Sequence, residues 1–87
     1  MKIATEIQLG SDMQAIYLVD NNDYPTLIAH SRMYNLGEAL CGLYYEHYCD
    51  TIAIAGPHEI ASKIADDAVT VSKEHYAKRP ALHIEIV

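Results

Sequence analysis

The stretch Thr51-Ile52-Ala53-Ile54-Ala55-Gly56-Pro57-His58, together with the residues from there to Val87, decides the fold. Thr51 to Ala55 is a short apolar run, and Gly56-Pro57 interrupts it. From His58 to Lys78 apolar residues recur at helical spacing, with Ile60, Ile64, Ala68, Val71 and His75 on one stripe. Lys63, Asp66, Asp67, Lys73 and Glu74 form a solvated face. Arg79-Pro80 stops the pattern, and Ala81 to Val87 alternates as a strand does. Gly56 is placed to cap the helix and Pro57 to occupy its first turn. A strand–helix–strand unit of this kind makes a parallel strand pair with a right-handed crossover.

Upstream, Lys2 to Leu9 alternates, with Ile3, Ile7 and Leu9 on one face and Glu6 and Gln8 on the other. Gly10-Ser11-Asp12 is turn chemistry, and Gln14 to Val19 is a second strand. Asp20-Asn21-Asn22-Asp23 is a second turn, and Pro25 to His30 is a third strand whose leading proline suits an edge or first position. Three runs joined by tight turns form an antiparallel meander. Asn35 opens the first helix, with Glu38 three residues on as in a capping box. Leu36, Ala39, Leu40, Leu43 and His47 share its buried face. Gly42 costs about 1 kcal/mol against alanine inside a helix and reads as a point of close approach to the sheet. Cys41 and Cys49 fall in this same helix, about 12 Å apart along its axis. That is too far for a disulfide, so they read as reduced packing thiols.

The order is β-β-β-α-β-α-β. The simplest layout is a two-layer α/β (α+β) domain with strand order 3-2-1-4-5. Both crossovers run the same way across this mixed five-stranded sheet, so right-handedness places both helices on one face. The opposite face is left bare, and Ala4, Glu6, Gln8, Ala15, Tyr17, Val19, Ala53, Ala55, His83 and Glu85 point toward it. A bare face with Tyr17, Val19 and several alanines exceeds scattered apolar exposure and suits a partner. The parallel pair at the Val87 edge adds to that reading, because parallel strands are normally covered on both faces.

This element order resembles the ribonuclease H-like fold: three antiparallel strands, helix, strand, helix, strand. The resemblance spans nearly the whole chain and is one of topology. It implies two divalent metals held by acids from the first strand, the first helix and the end of the fourth strand. Glu6 and Glu38 match the first two places. The fourth strand runs into Ala55-Gly56-Pro57-His58 without an acid, and Glu59 follows in the next helix. Two-metal chemistry needs several convergent carboxylates.

Eighty-seven residues make one compact domain, 1–87, of ordinary globular composition, 51% hydrophobic and 21% charged. A net charge of −6 and the lack of a Lys/Arg stripe disfavour direct nucleic-acid binding. No apolar run approaches a membrane span, and the first residues have no signal-peptide core, so the expected location is cytoplasmic. Five histidines, once protonated, move the charge from −6 to −1, so solubility is expected to fall near pH 6.

No motif names an activity. His83 and Glu85 share a strand face with His30 and Glu6, a zinc-type residue set, but any alternating strand produces such pairs and no metal or other cofactor is expected. Gly56-Pro57-His58 lacks the glycines and Lys of a phosphate loop. Seven tyrosines with no Phe or Trp are a skewed aromatic set, and tyrosine is enriched at contacts. Tyr45 and Tyr48 fall off the predicted buried stripe. The expected partner-binding residues are therefore Tyr17, Val19, Tyr45, Tyr48, His83 and Glu85. Serines 11, 31, 62 and 72 have no distinctive context.

The leading functional expectation is a small acidic, non-enzymatic interaction module. It would be an accessory or inhibitor protein of phage or mobile-element type, acting by contact with a protein partner. A basic nucleic-acid-binding protein is the favoured partner class, and a homodimer through the open sheet face or the last strand edge is a further form. The alternatives are a ribonuclease H-like metal-dependent nuclease or ligand binder using Glu6, Glu38 and Glu59, and a structural subunit of a larger assembly.

Overall fold

The computed structural model covers residues 1–87. It contains β1 (Lys2–Glu6), β2 (Met13–Val19), β3 (Pro25–Arg32), a 3-10 turn (Met33–Asn35), α1 (Leu36–Glu46), β4 (Thr51–Ala55), α2 (His58–His75) and β5 (Ile84–Ile86). The five strands form one mixed sheet in the order β3-β2-β1-β4-β5, as the crossover argument requires. β1 and β2 pair antiparallel, as do β2 and β3, while β1–β4 and β4–β5 are parallel.

Alternation divides the sheet. Ile3, Thr5 and Ile7 turn to one side with Ile16, Ile52 and Ile54, where they meet Leu36, Leu40, Cys41 and Tyr44 of α1 and Ala61, Ile64 and Ala68 of α2 in one core. Both helices thus cover the same face. The shortest dimension, 20 Å, is that of one helix layer on one sheet. A bulge between Ile16 and Tyr17 lets both Ile28 and Ala29 of β3 turn toward the core.

Several boundaries and faces differ from expectation. β1 stops at Glu6 because its parallel partner ends at Ala55, after which Gly56 turns away with φ +141°. Leu9 is exposed rather than facing the core. β5 has three residues, because Lys78 to His83 forms a connecting loop. Asn35 makes no side-chain cap, so the Asn35–Glu38 capping box does not form, and a 3-10 turn leads into α1 instead. Pro57, not Gly56, is the N-cap residue of α2.

α1 is also rotated from its predicted face. Its buried residues are Leu36, Gly37, Leu40, Cys41, Tyr44 and Tyr45, with His47 just past its end. On α2, Ala61, Ile64, Ala68 and Ser72 are buried and His75 is exposed. Gly42 is not the point of close approach, since a Cβ there would lie 3.7 Å from the Tyr76 hydroxyl, an ordinary contact. Gly37 takes that role against α2: a Cβ on it would fall 2.7 Å from Asp67 Cβ and 2.8 Å from the Ile64 carbonyl. Cys49 lies beyond α1 rather than within it. Both thiols are free and buried, and burial pushes Cys41 up to about 11 and Cys49 upward, so they stay protonated and unreactive at neutral pH.

Two buried polar groups hold loops in place. Gln14, wholly buried, accepts a hydrogen bond from the Gln8 backbone N–H at 2.8 Å and donates to the carbonyls of Gln8 (3.1 Å) and Ser11 (2.7 Å). It fixes the turn between β1 and β2. Thr5 donates to the Ala15 carbonyl at 2.8 Å, which ties the same two strands together.

The open sheet face as candidate functional site

The residues that alternate away from the core define the second face. Register places Lys2 beside Val19 and Thr51, Ala4 beside Tyr17 and Ala53, and Glu6 beside Ala55. Glu85 pairs with Ala53, and Tyr17 with Leu27. No helix or loop covers these residues. The parallel half of the sheet, β1-β4-β5, is therefore bare on one side, an unusual condition for parallel strands.

The face is concave. Ala4, Ala53 and Ala55 floor a trough along β1 and β4. Tyr17, Val19 and Pro25 wall one side, with Val87 opposite and Lys2 and Glu6 on the margins; its volume is about 260 Å³. Small floor residues between larger wall residues shield each other: Ala53 is 8% exposed and Val19 9%, although no element lies over them. The strands that carry the two walls, β2 and β5, are three strand spacings apart, or about 14 Å backbone to backbone. Beyond Lys2 the trough opens into a polar hollow lined by Asp20, Asp23, Asp50 and Glu85. Four carboxylates there face Lys2 and the Met1 amino group, the latter 3.6 Å from Asp50.

The expected partner residues fall into three places. Tyr17, Val19 and Glu85 share the open face. His83 precedes β5, between Leu82 and Ile84, which both pack on the core, so its exposed side chain turns the other way. Tyr45 is a correction: it is 4% exposed and lies inside the helix layer. Its hydroxyl donates to the Pro80 carbonyl at 2.6 Å and lies 2.9 Å from Ser72 Oγ, while its ring stacks on Tyr76 at 4.5 Å and meets Tyr44 edge-on at 5.0 Å. It joins α1, α2 and the loop to β5, and it is not open to a partner. Burial also pushes the Tyr44 hydroxyl upward, despite a hydrogen bond from the His83 backbone. Tyr48 is 84% exposed, with a left-handed φ of 54° just past α1 and the Arg79 guanidinium 5.8 Å from its ring. It belongs to a different surface from Tyr17.

The carboxylates of the nuclease alternative do not converge. Glu6 borders the open face. Glu38 lines a hollow over the helices with Asp67, Thr70 and Val71. Glu59 sits in the first turn of α2. No three His, Cys, Asp or Glu side chains come close enough to hold a metal ion. No helix is long and apolar enough to cross a membrane. No family model matches the chain, and no curated protein gives a significant match.

Signals for the trough were available in the alternation of Ala4, Tyr17, Val19, Ala53 and Ala55. Lys2, Pro25 and Val87 were not among the expected open-face residues, because each lies at the end of a strand, where face assignment needs the partner's register.

Proposed function

We propose that the protein is a non-enzymatic interaction module that binds a protein partner through its open sheet face. The observation that carries this reading is the apolar trough over the bare parallel strands β1, β4 and β5. Parallel strands are normally buried on both sides, so a partner would supply the missing cover. The formal charge of −6 favours a basic partner, such as a nucleic-acid-binding protein whose groove the module would occupy. Such a role suits an accessory or inhibitor protein of phage or mobile-element type acting in the cytoplasm.

The test is capture of partners from an extract of the source cell by immobilised protein, with Ala53→Arg placing a long charged side chain in the trough and Thr70→Arg altering the exposed outer side of α2. Loss of the captured protein with Ala53→Arg and retention with Thr70→Arg is expected. Equal capture by both variants, each shown to be folded, would overturn the reading.

A further inference from the structure

We infer that the occupant of the trough is a single amphipathic helix of a partner protein, with basic residues flanking its apolar stripe. This rests on the proposed role of the open face and names what fits it. The strands that carry the walls, β2 and β5, run about 14 Å apart backbone to backbone, so the gap between their side chains is narrower than a helix of about 10–12 Å diameter. Such a helix would lie across the mouth of the trough and send its apolar side chains into it. The alanine floor of Ala4, Ala53 and Ala55 leaves room for projecting side chains, so a helix can lay an apolar stripe into the groove. It would then lie over β1, β4 and β5 as α1 and α2 do on the other side. The two-layer domain would become three layers, with the parallel strands covered on both faces.

Charge sets the rest. Glu6 borders the trough, and Glu85, Asp20, Asp23 and Asp50 line the acidic hollow that continues it past Lys2. Lysine or arginine on the edges and one end of the helix would meet these carboxylates at the rim, where charge steers the approach and selects the partner.

A second copy of the chain fits worse. β1 is the central strand, and its outward residues are Lys2, Ala4 and Glu6. Two sheets stacked about Ala4 with antiparallel β1 strands set Glu85 against its own copy, since Glu85, Ala53 and Ala4 share one level. They also set alanine against alanine and leave the trough unfilled. With parallel β1 strands, Lys2 meets Lys2 and Glu6 meets Glu6. The parallel arrangement opposes like charges throughout, whereas the antiparallel one opposes the two Glu85 while pairing each Lys2 with the copy's Glu6, so what counts against it is chiefly the unfilled trough.

The probe is a fluorescein-labelled, end-capped helical peptide with Leu at positions i, i+4, i+7 and i+11 and Lys on both flanks, against a control with every Lys replaced by Glu. Binding is followed by anisotropy at low salt and mapped by ¹⁵N chemical shifts on the intact protein. The basic peptide is expected to bind with shifts concentrated on Ala4, Tyr17, Ala53 and Ala55, and the acidic control at least about 10-fold more weakly. Ala53→Gln, which fills the trough without charge, should weaken binding by about 10-fold or more, and Glu85→Gln by about 2- to 5-fold. Thr70→Gln should change nothing, and circular dichroism checks that each variant is folded. Shifts confined to α1 and α2, or equal binding of both peptides, would overturn the inference. So would a concentration-dependent dimer that Ala53→Gln dissociates, which would make a second copy the occupant. If the peptide fails while Ala53→Arg still abolishes partner capture, the open face remains the contact surface and the basic-helix occupant is wrong.

Discussion

Gly37 and Gly42 stand five residues apart on α1, and replacing each by alanine should change stability in opposite directions. At Gly37 a Cβ would sit 2.7 Å from Asp67 Cβ, 2.8 Å from the Ile64 carbonyl oxygen and 3.0 Å from the Ala68 nitrogen. Comfortable carbon–carbon contact is about 3.5–4.0 Å, so the helices would have to separate by about 1 Å. Two of the three neighbours are backbone atoms of α2, and no change of rotamer relieves them. Separation loosens Leu36, Leu40, Ile64 and Ala68 together, and overpacking of this kind costs about 1–3 kcal/mol. Better helix propensity returns at most about 1 kcal/mol. The net expectation is a loss of about 1–2 kcal/mol, or about 5–15 °C in Tm for a domain of this size. At Gly42 the nearest atom is the Tyr76 hydroxyl at 3.7 Å, so alanine should add about 0.5–1 kcal/mol. Urea unfolding followed at 222 nm, with thermal melts alongside, measures both. Gly37→Ala at or above wild-type stability, or both variants shifting the same way, would refute this packing of α1 on α2.

Three further outcomes rest on named contacts. Tyr45→Phe keeps the ring stack on Tyr76 but leaves buried Ser72 and the Pro80 carbonyl without their partner, so it should cost about 1–2 kcal/mol in urea unfolding; no loss would mean the hydroxyl ties nothing together. Gln14→Ala removes three hydrogen bonds from a wholly buried site and leaves the Gln8 N–H unpaired, for an expected loss of about 2–4 kcal/mol, with faster amide exchange across Gln8–Ser11 as a local check. Stability should also fall at alkaline pH. Cys41 titrates near 11 in the folded chain against 9.0 unfolded, so between those values the unfolded state has lost a proton that the folded state retains. The thiol's contribution is intact below pH 9 and is lost progressively as pH rises toward 11, with Cys49 and Tyr44 acting in the same direction. Urea midpoints from pH 8 to 10.5 should decline, and the decline should be shallower in Cys41→Ala; a flat profile would contradict the burial of the thiol.

Much of the architecture was legible because its punctuation is strong. Gly56-Pro57 and Arg79-Pro80 mark the joints of β4, α2 and β5, and handedness then dictates the strand order and the side on which the helices lie. The open face was legible for the same reason, since strict alternation in Lys2–Glu6, Met13–Val19 and Thr51–Ala55 assigns every residue a side. α1 was not legible in the same way. Leu36, Ala39, Leu40, Cys41, Leu43, Tyr44 and Tyr45 are apolar almost all round the helix, so periodicity alone does not fix which face turns inward. Tertiary packing fixes it instead: Gly37 sets the approach to α2, and the Tyr45 hydroxyl finds Ser72 and Pro80. That rotation carries Tyr45 inward and removes it from the exposed surface. Gln14 and Ser72 escaped notice because their burial depends on partners distant in sequence or on a turn whose shape is set by the contact itself. The trough's depth was likewise hidden, since it depends on which alanines lie side by side across β1 and β4.

The central claim, that the open sheet face is where a partner sits, is tested most directly by position-specific photocross-linking in the source cell. A benzophenone side chain would replace Tyr17 on the trough wall in one variant and Thr70 on the outer side of α2 in another. A discrete cross-linked protein is expected from position 17 and none from position 70. Cross-linking from position 70 with none from position 17 would contradict it.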